Sequence, residues 1–198
     1  MAGPRNPSTT PQKNNPCKLI AIICLALIVI VGLAILITWL AIKPKNLQYS
    51  IVEGYIRDYN LTNDGQFKST FYFGIWTFNP NHKASIYYDK MDVIVTYRGQ
   101  DVASGSIAPF FQPKRNVTTL EFQNSAKDVT LSSDQVKHLK NERNGGQVDL
   151  DIKINARMRV KVGIWKSRHY KVKILCSPVV INFSNDKRFQ KTNCDVDI

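Results

Sequence analysis

The sequence predicts a mainly β chain: an immunoglobulin/fibronectin-like β-sandwich with one short helix, preceded by a single transmembrane helix. Three observations carry this expectation. Leu19 to Ile42 run as 24 residues without one charge. Asp151–Val162 (DIKINARMRVKV) alternates apolar and polar over 12 positions, the mark of a strand with one buried and one wet face. Only one capped helical pattern, Leu131–Arg143, stands among the strand and turn signals of the C-terminal part. At 198 residues there is room for one medium domain and an accessory segment. A content of 43% hydrophobic and 21% charged residues excludes a wholly disordered chain and a polytopic membrane protein.

Residues 1–18 are rich in Pro, Asn, Thr and Ser. They bury too little to offset ordering entropy and are expected to form a disordered tail. As a helix, residues 19–42 would extend about 36 Å, enough to cross a hydrocarbon core of about 30 Å with some tilt. Lys18 and Lys43 bracket the run and Trp39 lies near one end, as interfacial anchors do. The alternatives are a cleaved signal peptide and a buried core helix. A signal core of about 7–15 residues is shorter than this run and ends in a small-residue cleavage site, so an uncleaved span is the expectation.

Charge counting leaves the orientation open, because three Lys or Arg lie in the 18 residues on either side of the span. The sequons Asn60-Leu61-Thr62, Asn116-Val117-Thr118 and Asn182-Phe183-Ser184 all follow it, whereas Asn6-Pro7-Ser8 is blocked by proline. Cys176 and Cys194 also lie in the long C-terminal part, either as a bridge worth about 3 kcal/mol of loop entropy or as two free thiols in a reducing compartment. Cys17, beside Lys18, is a candidate for S-palmitoylation or an inert thiol. These features together predict a cytosolic N-terminus and an exported domain over residues 43–198.

Within that domain Phe67–Phe78 (FKSTFYFGIWTF) is nearly apolar on both faces, as a central strand covered on each side would be. Met91, Val93, Val95 and Tyr97 alternate, ended by Arg98-Gly99-Gln100. Ser132 and Gln135 form a capping box at the start of the helix, Val136 and Leu139 give it a thin apolar stripe, and Asn144-Gly145-Gly146 stops it. In Asp151–Val162 the apolar parity is Ile152, Ile154, Ala156, Met158, Val160 and Val162. GIWKSR (Gly163–Arg168) reads as a turn, and Tyr170, Val172 and Ile174 return as a hairpin strand. After Ser177-Pro178, Val179–Phe183 reads as a further strand. Several strands, one helix and regular turns describe a sandwich.

Candidate chemistry is sparse. Four cysteines include no CxxC pair, and His82, His138 and His169 show no HxxxH or HExxH spacing. There is no GxSxG, GxGxxG or GxxxxGK[ST]. Asp89 with Asp92, and Asp149 with Asp151, are carboxylate pairs best read as solvated or turn-capping, and His169 has no carboxylate near it in sequence. No enzyme, no cofactor and no metal site is expected. The functional signal is charge: +12 overall with a pI near 9.6, and 24 Lys and Arg against 15 Asp and Glu after the span. Lys153, Arg157, Arg159, Lys161, Lys171 and Lys173 would project from one face of one hairpin. That face is either a solvated surface that resists edge association or a docking patch for polyanions. An exported domain does not meet nucleic acid, so acidic cell-wall polysaccharide, anionic lipid or an acidic protein such as a membrane receptor are the expected partners. Homo-oligomerisation is left open, since Gly32 and Ala34 in the span make no GxxxG.

Phe78-Asn79-Pro80-Asn81-His82-Lys83-Ala84-Ser85-Ile86-Tyr87-Tyr88-Asp89 resembles the NPN…YYD signature of plant harpin-induced, non-race-specific disease-resistance-like membrane proteins. Tyr97-Arg98-Gly99 and Pro109-Phe110-Phe111-Gln112-Pro113-Lys114-Arg115-Asn116 resemble that family's second stretch, and Cys194-Asp195-Val196 its C-terminal Cys-x-Val. The likeness covers residues 17–198 and departs at Ala84-Ser85, where glycine is expected. It implies a late-embryogenesis-abundant-type domain (water stress and hypersensitive response), a plasma-membrane location sometimes concentrated at plasmodesmata, and a role in plant defence response and stress signalling without catalysis. A stress-protective domain, or a lipid-handling membrane-contact domain if it faces the cytosol, is the alternative. The residues themselves read as structural. Pro80 excludes Asn79 from helical space, both Asn side chains can cap a turn, and Tyr87 and Tyr88 enter the next strand on opposite faces.

Overall fold

In the computed structural model, residues 16–42, 45–183 and 189–197 are described. The expected tail therefore lies outside the described residues up to residue 15. The chain divides into two units, Met1–Lys43 and Pro44–Ile198. In the first, α1 (Pro16–Ile42) is one uninterrupted helix. From Pro16 to Ile37 it is long and apolar enough to cross a membrane, and its side chains there are exposed, which a core helix would not allow.

The second unit is two antiparallel sheets face to face. Sheet one has the order β10 (Thr192–Asn193), β1 (Gln48–Leu61), β2 (Gln66–Phe78), β6 (Val117–Thr130). Sheet two has the order β11 (Asp195–Asp197), β9 (Tyr170–Asn182), β7 (Gln147–Val162), β3 (Ala84–Tyr97), β4 (Gln100–Ile107). In it, β5 (Phe110–Gln112) pairs with β3 and β8 (Trp165–Lys166) with β7. Between them Tyr49, Ile51, Phe71, Phe73 and Ile75 of sheet one are buried with Ile86, Tyr88, Met91, Val93, Val95, Ile152, Ile154, Met158, Val172 and Ile174 of sheet two. Burial alternates along β7 from Val148 to Met158, as the sequence pattern requires.

Three strands differ from expectation. β2 is central in its sheet, but Tyr72, Trp76 and Phe78 on its outer side are only half-buried. They are shielded by neighbours instead of a further layer: Tyr72 stacks on Tyr55 at 4.6 Å, and Lys191 Nζ lies 4.4 Å from the Trp76 ring. The two expected strands around Ser177-Pro178 are one strand, β9. Leu150 pairs with Val179 and Ile152 with Cys176, so Asp151 alone faces Ser177 and Pro178. That bulge accommodates the missing proline N–H. In β3 the buried parity switches from Ile86 and Tyr88 to Met91, Val93 and Val95, because Asp89 is an extra residue where Tyr88 pairs with Met158 and Lys90 with Arg157.

The helix, α2 (Ser133–Gly145), carries the expected capping box, with Ser132 accepting from the Gln135 N–H and Gln135 from the Ser132 N–H. Gly146 ends it in the left-handed region at φ 79°. Val136 and Leu139 are buried, and Tyr97 Oη donates to Glu142 at 3.0 Å. At one open edge, Asn124 Nδ2 donates to the Ser104 carbonyl over Gly105, where any Cβ would collide with it. At the other, the C-terminal tail pairs with β1 through β10 and with β9 through β11.

Candidate functional site

The six cations of the hairpin share the outer face of sheet two. Arg157 lies opposite Lys171. The neighbouring strands, however, bring acids that the hairpin sequence does not contain. The bulge in β3 turns Asp89 outward, where Arg159 Nε donates to its Oδ2 at 2.9 Å and Arg159 Nη2 to its Oδ1. His169 Nε2 stands 3.3 Å from Asp89 Oδ2. No carboxylate lies near His169 in sequence, and its partner comes from β3, 80 positions earlier in the chain. The Arg159 hydrogen bonds, with the charges of Arg159, His169 and Arg157, hold the Asp89 carboxyl below the usual range. Lys153 Nζ reaches Asp101 of β4 at 3.9 Å, Lys90 pairs with Asp92 at 2.6 Å, and Asp197 lies opposite Lys173. Among the described residues, Arg157, Lys161, Lys171 and Lys173 form no ion pair.

The NPN turn is a buried hydrogen-bond junction. Asn79 is fully buried. Its Nδ2 donates to the carbonyls of Ala84 and Pro113, both at 2.9 Å. Its Oδ1 accepts from the N–H and Nδ2 of Asn81 at 3.1 and 3.0 Å. Asn81 in turn takes the Lys45 N–H on its Oδ1 at 2.7 Å and donates Nδ2 to the Lys45 carbonyl at 2.9 Å. The backbones add Asn79 N–H to Asn116 O and Arg115 N–H to Asn81 O. The motif therefore ties the segment before β1, the β2–β3 turn and the β5–β6 turn together at one end of the sandwich. Tyr88 is buried and Tyr87 half-buried on the other side of β3, where its ring packs against Phe111 at 4.7 Å, tilted by 43°. Pro80 is half-buried.

A second buried polar chain crosses the core and was not foreseen. The Tyr49 and Tyr88 hydroxyls are 2.7 Å apart, Tyr88 donates to Gln112 Oε1 at 3.1 Å, and Gln112 Nε2 donates to the Thr77 carbonyl at 3.0 Å. Burial raises the pKa of both phenols, so they remain neutral donors and acceptors. The sequence signal was present in the Pro109–Asn116 stretch, but its partners lie on other strands.

Cys176 and Cys194 form a disulfide at the point where the tail passes from β10 to β11, beside the Cys194 N–H to Tyr49 O bond. Cys17 and Cys24 of α1 are free and exposed. Of the sequon asparagines, Asn60 and Asn116 are exposed. Asn182 is half-buried and accepts from Gln147 Nε2 at 3.0 Å; its Ser184 lies outside the described residues. Among the described residues no three His, Cys, Asp or Glu side chains gather into a metal-binding group.

The family model for late embryogenesis abundant protein matches residues 77–176, the stretch from the NPN junction to Cys176. An uncharacterised protein of Arabidopsis thaliana is 32% identical over 92% of this chain and 84% of its own length. NDR1/HIN1-like protein 3 of Arabidopsis thaliana is 30% identical over 88% of this chain and 78% of its own. NDR1/HIN1-like protein 26 of the same plant is 29% identical over 75% and 71%. Junction, sandwich and apolar helix thus sit in a chain that belongs to the NDR1/HIN1-like group of the late embryogenesis abundant protein family.

Proposed function

We propose that the chain is a non-enzymatic, single-pass plasma-membrane protein of plant defence and stress responses. Its exported sandwich meets acidic cell-wall polysaccharide, or an acidic protein partner, through the outer face of β7 and β9. The NDR1/HIN1-like relatives support the process, and α1 supports the anchorage. The observation that carries the contact is the set of cations without ion pairs, Arg157, Lys161, Lys171 and Lys173, held on one rigid hairpin. Opposed to a polyanion, such a row attracts it with a strength that falls as salt rises.

The test is co-sedimentation of the detergent-solubilised protein with polygalacturonate. Changing Arg157, Lys161, Lys171 and Lys173 to Glu is expected to abolish a salt-sensitive association while near-UV circular dichroism stays native. Equal binding by wild type and variant would remove the docking face. Orientation is read separately from glycosidase-sensitive mobility of the membrane-fraction protein. Collapse to about the mass of the bare chain, 22.5 kDa, is expected for an exported domain, and insensitivity together with cytosol-side protease access would reverse it.

A further inference from the structure

We propose that the end of the sandwich built around the NPN junction is a membrane-docking surface, with the β7–β8 tip, Ile164 and Trp165, seated among anionic lipid headgroups of the leaflet that the exported domain faces. Three turns meet at this end. The NPN turn and the β5–β6 turn are joined through Asn79 and Asn81. The β7–β8 tip begins where Val162 pairs with Ala84, the residue whose carbonyl Asn79 holds. Gly163, at φ 59°, turns the tip so that Ile164 is fully exposed and Trp165 is 60% exposed. Outside α1, three of the five exposed large hydrophobic side chains among the described residues, Val117, Ile164 and Trp165, lie at this end.

The charges there are of one sign. Residues 45–47, 79–84, 113–117 and 161–168 carry Lys45, Lys83, Lys114, Arg115, Lys161, Lys166 and Arg168 and no Asp or Glu. The outer face of sheet two, by contrast, intersperses its cations with Asp89, Asp92, Asp101 and Asp197. An apolar tip with a tryptophan, flanked by cations, is the composition that partitions to a bilayer interface carrying anionic lipid, on whichever leaflet it is met. The connection supplies proximity: only residues 43 and 44 separate the end of α1 from Lys45, which Asn81 clamps to this end. Three residues of extended chain reach about 10 Å at most, so a bilayer-spanning α1 delivers Lys45 to the bilayer surface.

The inference rests on the reading of α1 as a span, and the experiment separates the two. Full-length protein, made without glycosylation, is reconstituted into vesicles of phosphatidylcholine and phosphatidylserine. An environment-sensitive label is placed at one position at a time: on native Cys24 with Cys17→Ser, or on Ile164→Cys or Asp64→Cys with Cys17→Ser and Cys24→Ser. Asp64 lies in the β1–β2 turn at the opposite end. Spin-labelled lipid is expected to quench the label at 24 strongly and at 164 clearly, and to leave 64 bright. Lys114→Glu with Arg115→Glu, or vesicles without phosphatidylserine, are expected to reduce quenching at 164 and not at 24.

Quenching at 24 with position 164 as bright as 64 would overturn the docking surface and leave the span intact. No quenching at 24 would overturn the span and the inference with it. Quenching at 164 indifferent to lipid charge would overturn the anionic lipid as its occupant. Asn116 lies on one of these turns, so full glycan occupancy there in the native membrane protein, read by mass spectrometry, would overturn the proposal as well.

Discussion

Replacing Asn79 by Asp tests the NPN junction with almost no change of shape. The amide Nδ2 donates to two carbonyls at 2.9 Å, Ala84 and Pro113, and the side chain is fully buried. A carboxylate in its place loses both donors and sets a negative oxygen against two carbonyl oxygens. Two hydrogen bonds are worth about 2 kcal/mol together, and an uncompensated buried charge brings the loss to about 3–5 kcal/mol. For a domain of this size that lowers the melting temperature by about 6–20 °C. The assay is urea and thermal unfolding of the full chain in mild detergent, followed by near-UV circular dichroism. The sign of the pH dependence is part of the prediction. The new carboxyl has a raised folded-state pKa, so its neutral form is tolerated and the deficit narrows as pH falls through that value. Asn79→Ala leaves three or four groups unpaired without introducing charge, and its loss of about 3 kcal/mol is pH-independent. A melting temperature within 2 °C of wild type for Asn79→Asp (about 1 kcal/mol or less), or identical pH profiles for the two variants, would refute the hydrogen-bond assignment.

Other measurements bear on the remaining features. The 18-residue separation of Cys176 and Cys194 puts the loop-entropy contribution of the bridge at about 3 kcal/mol; the double Cys→Ser variant should lose that much in urea unfolding and become insensitive to reductant. Asp89, held below its usual pKa chiefly by the Arg159 hydrogen bonds, adds stability above the ordinary carboxylate range, and that contribution disappears as pH falls through its depressed value. Asp89→Asn should therefore flatten the acid limb of the stability curve, by up to about 1 kcal/mol for a pair this near solvent; an unchanged slope would point to Asp92, also lowered by Lys90 and Ser106. Tyr49→Phe removes one link of the Tyr49–Tyr88–Gln112 chain and should cost about 1 kcal/mol in the same unfolding assay, whereas no change would mean that Tyr88 and Gln112 suffice. Asn60→Gln should remove one glycan step on a gel, because Asn60 is exposed; unchanged mobility would mean that this sequon is unused.

Much of the fold was legible because its signals are local. A 24-residue uncharged run reads as a span from length alone, and the alternation in Asp151–Val162 reads as a strand because successive side chains face opposite ways. Ser132 and Gln135 mark the helix start because the two partners are three positions apart. The cation row was legible for the same reason: residues of one parity share a face.

What the sequence did not disclose depends on which strand lies beside which. Asp89 meets Arg159 only because β3 pairs with β7, and meets both Arg159 and His169 only because a bulge turns it outward. In sequence the same bulge is a change of parity between Tyr88 and Met91, which is easily taken for a strand boundary. The neutralising acids of β3 and β4, the Tyr49–Tyr88–Gln112 chain, and the three-segment junction at Asn79 are likewise products of strand order. By itself, then, the sequence determined the long apolar helix, the strands, the capped helix and the faces. Tertiary structure decided which charges cancel, which remain free and which three turns share one end, because local periodicity sets where a side chain points and only long-range pairing sets what it meets.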